Sequence, residues 1–116
     1  MIIFHNSRCG KSHEALDLLI RKGYDVTVRE YLKEPPTTNE LKSILKKLNC
    51  KAIDIIRKKE SFFQENYQNK VLSDTEWIKV LIKNPILIER PIIITDKKAI
   101  IARPPELLND FLKKEN

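Results

Sequence analysis

Apolar residues along this chain recur with two periods, and the switches between them mark out its elements. Ile2, Ile3 and Phe4 make a short apolar run that ends at the polar turn His5-Asn6-Ser7-Arg8. A run of that length bounded by a turn predicts a strand over residues 2–4. Glu14-Ala15-Leu16-Asp17-Leu18-Leu19-Ile20 then has a helical pattern, which predicts a helix from about Cys9 to Lys22 with Gly23 just past its end. Residues 26–31, Val-Thr-Val-Arg-Glu-Tyr, alternate and are rich in β-type residues, so a second strand follows. Strand, helix and strand in that order predict a parallel pair joined by a right-handed crossover.

Pro35-Pro36 interrupts the chain. Thr37 and Glu40 have capping-box spacing, and Leu41, Ile44, Leu45 and Leu48 fall on one helical face. A shorter helix is expected over Ala52 to Lys58. Residues 61–72 have no clear period. Ser73 and Glu76 form a second capping box, opening a helix through Trp77, Ile78, Leu81 and Ile82 that Asn84-Pro85 stops. Residues 92–95 and 99–102 read as two strands with a short turn between them, an antiparallel hairpin. A last helix carries Leu107, Leu108, Phe111 and Leu112. The order βαβ, several helices, ββα predicts an α/β fold with a mixed sheet flanked by helices. We expect a single domain over residues 1–116 with a helical insertion at about 37–83.

Composition narrows the class. The chain has 116 residues, of which 41% are hydrophobic, enough for one core and too many for a disordered chain. No apolar run approaches the ~18 residues of a membrane span, and the N-terminal apolar run is strand-length rather than signal-like. A cytoplasmic protein is expected. The net charge of +6 comes mostly from lysine, scattered through the helical segments, and no dense basic tract or nucleic-acid motif is present. No nucleic-acid or membrane partner is expected, and a monomer is. The two cysteines, Cys9 and Cys50, make neither a C-x-x-C pair nor a zinc pattern, so no metal and no tightly bound cofactor is expected.

Cys9 changes the picture most. It stands where the first strand gives way to the first helix. Free backbone N–H groups and the positive end of the helix dipole favour a thiolate there, and the same amides can hold an anion. His5, Arg8 and Lys11 add positive charge. Cys50, near a helix end, reads as a passive thiol. Ser12 occupies the position where the second cysteine of a C-x-x-C would fall. His13 receives no role.

Sixteen lysines and six arginines make up the 22 basic residues. Arg57, Arg90 and Arg103 each follow or adjoin an apolar run, and Arg90 and Arg103 both precede proline, which favours extended backbone. Each is a candidate for a structural ion pair. Together they are candidates for binding a tetrahedral oxyanion, whose geometry suits a guanidinium fork.

The residues His5-Asn6-Ser7-Arg8-Cys9-Gly10-Lys11-Ser12 resemble the active-site loop of the ArsC family, the glutaredoxin-coupled arsenate reductases. The resemblance extends over nearly the whole chain. It includes Tyr31 to Pro36 with Glu40-Leu41, Arg57 to Glu60, Asn84 to Ile92, and Ala102-Arg103-Pro104. Ser7 stands where many members have proline. The resemblance implies a thioredoxin-like (glutaredoxin-like) fold with a helical insertion between its βαβ and ββα halves, and a cis peptide bond before the structural proline Pro91. It implies that Cys9 is the catalytic nucleophile and that Arg57, Arg90 and Arg103 bind arsenate or a similar oxyanion. His5 and Ser12, with backbone amides of the loop at Gly10 and Lys11, would stabilise the thiolate. Glutathione would be co-substrate and glutaredoxin the partner that regenerates Cys9, in arsenic detoxification.

Two other readings stay open on sequence. One is a redox-responsive regulator of the Spx type, which shares the fold but typically carries a C-x-x-C switch. The other is a glutathione-dependent thiol oxidoreductase with a different substrate.

Overall fold

A computed structural model describes residues 1–115. Two compact units are present: Met1–Glu34 together with the segment from Arg90 onward, and Pro35–Glu89. The insertion expected at about 37–83 falls inside the second.

The first unit is built on a four-stranded sheet in the order β2-β1-β3-β4. Strand β1 (Ile2–Phe4) leads into helix α1 (Gly10–Arg21), which returns to β2 (Thr27–Arg29). Strands β1 and β2 are parallel, with Ile3 opposite Val28. Strand β3 (Ile92–Ile94) runs antiparallel to β1, with Ile3 opposite Ile93, and pairs antiparallel with β4 (Ala99–Ile101). Strand β1 has the expected bounds, whereas β2, β3 and β4 are three residues each, shorter than the expected runs 26–31, 92–95 and 99–102. Gly23 adopts φ +85 directly after α1, a left-handed conformation that side chains resist.

Period-3.6 and period-2 residues meet in one core. Ala15 and Leu19 of α1 and Ile3 and Ile93 of the sheet pack with Ala102, and with Leu108, Phe111 and Leu112 of α5 (Leu107–Glu115). Burying each Ile, Leu or Phe side chain of this core stabilises the fold by about 1.5–3 kcal/mol before entropy is counted. On the other side of the strand, Phe4 stacks on the fully buried Tyr31 ring, with centroids 5.8 Å apart.

The second unit is helical. It contains α2 (Thr38–Leu48), α3 (Ser61–Asn66) and α4 (Asp74–Lys83). Both expected capping boxes form. Thr37 accepts from the Glu40 N–H at 3.1 Å while Glu40 returns a bond to the Thr37 N–H, and Ser73 and Glu76 do the same. Helix α3 fills part of the stretch that had no clear period.

The expected helix over Ala52 to Lys58 does not form. Only a 3₁₀ turn at Ala52–Ile55 does. Ile56 is extended and bridges to Ile88, with the Arg57 N–H donating to Leu87 O at 2.7 Å and the Glu89 N–H to Ile55 O at 2.8 Å. The run Ile53-Asp54-Ile55-Ile56 is rich in β-branched residues, which lose rotamer freedom in a helix and gain a buried bridge here. Among the described residues, no helix is long and apolar enough to cross a membrane.

Candidate active site

Cys9 is the N-cap residue of α1, extended at φ −106 and ψ 118, and no acidic side chain stands in the first turn to offset the positive helix end. The preceding loop closes tightly on itself. The Cys9 N–H donates to Asn6 O at 3.0 Å and the Arg8 N–H to Asn6 Oδ1 at 2.9 Å, an Asx-type turn. The His5 N–H donates to Arg29 O at 2.9 Å, which ties the loop's start to β2.

The Cys9 side chain is only 7% exposed. Burial on its own pushes the thiol up. The Ser12 amide, the Arg90 guanidinium hydrogen-bonded to the sulfur, the Arg90 charge and the Lys11 amide outweigh burial, so the thiol is held below its ordinary value. The sulfur closes no tight cap hydrogen bond of the kind Thr37 makes. The two amides act on it as the electropositive end of the helix.

Ser12 is fully buried, and its hydroxyl fastens the loop. Its Oγ accepts from the Asn6 N–H at 3.1 Å and lies 2.6 Å from His5 Nδ1. His5 is buried too. Burial, and then the charge of His13, push His5 below its usual value against the pull of Glu30 and Asp17, which favours the neutral ring. Neutral His5 can accept the Ser12 hydroxyl proton at Nδ1, satisfying both groups. Ser12 therefore reaches the sulfur through its backbone amide, and His5 supports Ser12.

Arg90 is half-buried and precedes a cis peptide bond to Pro91. The Pro91 carbonyl accepts from the Ala102 N–H at 3.0 Å, which fixes this segment beside the end of β4. Arg103 lies in the same unit, is exposed, and precedes a second cis bond, to Pro104, which the sequence reading did not anticipate. The charge that acts on the Cys9 thiol is that of Arg90. Arg57 belongs to the second unit, where its guanidinium pairs with Glu60 at 3.0 Å. Gly10 is exposed, and Lys11 makes a 3.7 Å surface pair with Glu14. Cys50 lies in the second unit. Burial and the carboxylates of Asp54 and Asp74 push its thiol up.

A cleft of about 230 Å³ adjoins the loop, walled by His5, Asn6, Ser7 and Arg8 on one side and Glu30, Leu32 and Lys33 on the other. A wider depression of about 520 Å³, at Lys22, Tyr24, Asn109, Leu112 and Lys113, adjoins the other end of α1 and has no cysteine in its lining. Among the described residues, no group of three or more His, Cys, Asp or Glu gathers to hold a metal ion. His13, passed over in the sequence, reaches back to the loop through a 2.6 Å bond between its Nε2 and Ser7 O. Its spacing of six from Ser7 carries no periodic signal, because the contact crosses from loop to helix.

Known proteins resemble the chain over nearly its full length. The sequence model of the ArsC family matches residues 4–111. An arsenate reductase of Haemophilus influenzae is 40% identical over 114 residues, 97% of this chain and 98% of that one. An arsenate reductase of Neisseria meningitidis is 39% identical over 112 residues, covering 95% of this chain and 96% of that one. The solved structure of an arsenate reductase from Vibrio cholerae superposes with a TM-score of 0.88 at 35% identity, over 94% of each chain. The fold is thus the thioredoxin-like α/β fold of the arsenate reductases.

Proposed function

This chain belongs to the ArsC family, and from that membership we propose that it reduces arsenate to arsenite with Cys9 as the nucleophile. One observation carries the reading: a buried cysteine at a helix N-terminus whose thiol is held down by backbone amides and an arginine. Such a site suits a tetrahedral oxyanion, because the groups that favour the thiolate also attract the anion it attacks.

The Cys9 thiolate attacks arsenic and a water leaves, giving an adduct with a sulfur–arsenic(V) bond. The thiol of glutathione then attacks the adduct. A disulfide forms between Cys9 and glutathione, the sulfur–arsenic bond breaks, and its electron pair stays on arsenic as arsenite. Glutaredoxin removes the glutathione by thiol–disulfide exchange and restores Cys9.

An external thiol is required on this reading for two reasons. Ser12 offers none, and Cys50 has a raised thiol that makes a poor attacking group. Arg90 binds the oxyanion beside the sulfur, with the amides of Gly10 and Lys11, while His5 and Ser12 stabilise the thiolate. The family resemblance assigns Arg57 and Arg103 to the oxyanion as well.

The test is NADPH oxidation coupled through glutathione, glutaredoxin and glutathione reductase. The expected result is oxidation that depends on arsenate and on every coupling component. Folded, reduced protein with no turnover above background with any thiol donor would overturn arsenate as substrate. Turnover with another thiol donor, but none with glutathione and glutaredoxin, would keep the substrate and replace the partner.

A further inference from the structure

His13 takes no part in the mechanism above, yet it touches the cysteine loop at three points. Its Nε2 lies 2.6 Å from the Ser7 carbonyl oxygen. A carbonyl oxygen can only accept, so Nε2 carries a proton and donates it. Its backbone N–H donates to the Cys9 carbonyl at 3.1 Å. Its ring meets the His5 ring edge-on, with centroids 4.8 Å apart and planes at 88°.

The loop is therefore fastened to α1 by two consecutive side chains. Ser12 grips it from within, at Asn6 and His5. His13 grips it from the exposed side, at Ser7, two residues before Cys9. The bond from the Arg8 N–H to Asn6 Oδ1 lies within the loop and moves with it. The His5 N–H bond to β2 and the Arg90 guanidinium at the sulfur also hold the site, but Ser12 and His13 are the side chains that tie the loop to the helix whose amides face the sulfur. Without the Nε2 donor, the Ser7 carbonyl turns to water and the Ser7–Arg8 peptide is held only at its N–H, by Asn6 Oδ1 within the loop. A shift of that peptide, two residues before Cys9, would be carried along the backbone to the sulfur and its distance from the amides of Lys11 and Ser12.

We propose that His13 is a positioning residue for Cys9, holding the sulfur over the first-turn amides of α1 through its Nε2–H bond to the Ser7 carbonyl. The proposal rests on Cys9 being the reacting thiol and is independent of the oxyanion it attacks.

The test is alkylation of the reduced full-length chain by iodoacetamide across pH, with Cys9 followed by mass spectrometry. His13→Phe keeps a ring against His5 and removes the donor. His13→Gln places an amide N–H₂ close to where Nε2 stood. The expected result is a higher inflection for His13→Phe and a loss of roughly tenfold in Cys9 alkylation at neutral pH, as small misplacements of reacting groups produce. His13→Gln should restore most of that loss.

A wild-type profile for His13→Phe would overturn the proposal, and so would His13→Gln reacting as slowly as His13→Phe. The wild-type chain supplies a check that needs no substitution: nitrogen chemical shifts should show His13 as the Nε2–H tautomer, and the Nδ1–H tautomer would overturn the bond. A wild-type Cys9 that inflects at the ordinary thiol value would overturn the thiolate reading itself, a failure distinct from equal profiles for wild type and His13→Phe.

Discussion

Cys9 and Cys50 both stand just outside a helix, at opposite ends and in opposite fields. Cys9 caps the start of α1, where free amides point outward and Arg90 lies against the sulfur. Cys50 lies just beyond α2, past Asn49 in a left-handed conformation, where the helix end is negative and Asp54 and Asp74 add to it. Both thiols are at least partly buried, so burial pushes both up. What separates them is the surrounding charge, which reverses the effect for Cys9 and reinforces it for Cys50. Cysteine chemistry in this fold is thus set by which end of a helix the residue occupies and what charge is brought to it, and burial alone distinguishes nothing.

The largest expected effect comes from exchanging each thiol. Cys9→Ser should lower arsenate turnover at least about 1,000-fold, since it removes the attacking group, while Cys50→Ser keeps most of the activity. Serine is a preferred N-cap residue, so Cys9→Ser should not cost stability in a thermal melt at neutral pH. Equal losses of turnover in the two variants would break the contrast and make Cys50 the resolving thiol.

Removing the charge beside Cys9 comes next. Arg90→Met should raise the Cys9 alkylation inflection and reduce turnover by roughly 100-fold, the scale of losing one well-placed donor. An unchanged inflection with lowered turnover would mean that Arg90 serves the oxyanion and not the thiol.

The caps sharpen the contrast between helix starts. Thr37 spends its side chain on closing the first turn of α2, whereas Cys9 leaves its amides open. Thr37→Ala should therefore cost about 1 kcal/mol in denaturant unfolding and leave alkylation of Cys9 unchanged.

The smallest effect is a difference in sign with pH. Cys9 is held down in the folded state, so its contribution to stability is present above the unfolded thiol value of about 8.5 and fades as pH falls through its folded value. Cys50 is held up, so its contribution is full below that unfolded value and is lost as pH rises through its folded value. The Tm of the wild-type chain relative to Cys9→Ser should rise as pH approaches about 8.5. Relative to Cys50→Ser it should fall above that pH. Parallel trends would show that the two environments do not differ as described.

Much of this was legible because the signals were local. Thr37 with Glu40, and Ser73 with Glu76, announce helix starts by side-chain spacing, and both boxes close as expected. Cys9 was legible because a strand run, a polar turn and a helical pattern meet at it. The segment around Ile56 was not, since an extended bridge to Ile88 wins over helix through a contact distant in sequence. His13 was missed for the same reason: its partner Ser7 lies across the loop, and no period links them. The adjacency of Arg90 to the sulfur needed the antiparallel pairing of β3 with β1, which sets that segment beside the cysteine loop.

The central claim is that Cys9 is an activated thiolate and Cys50 is not. Its most direct test is alkylation of the reduced wild-type chain across pH, with each cysteine followed separately by mass spectrometry. The account predicts that Cys9 inflects below the ordinary thiol value of about 8.5 and Cys50 above it. A Cys9 inflection at or above that value in folded protein would contradict it.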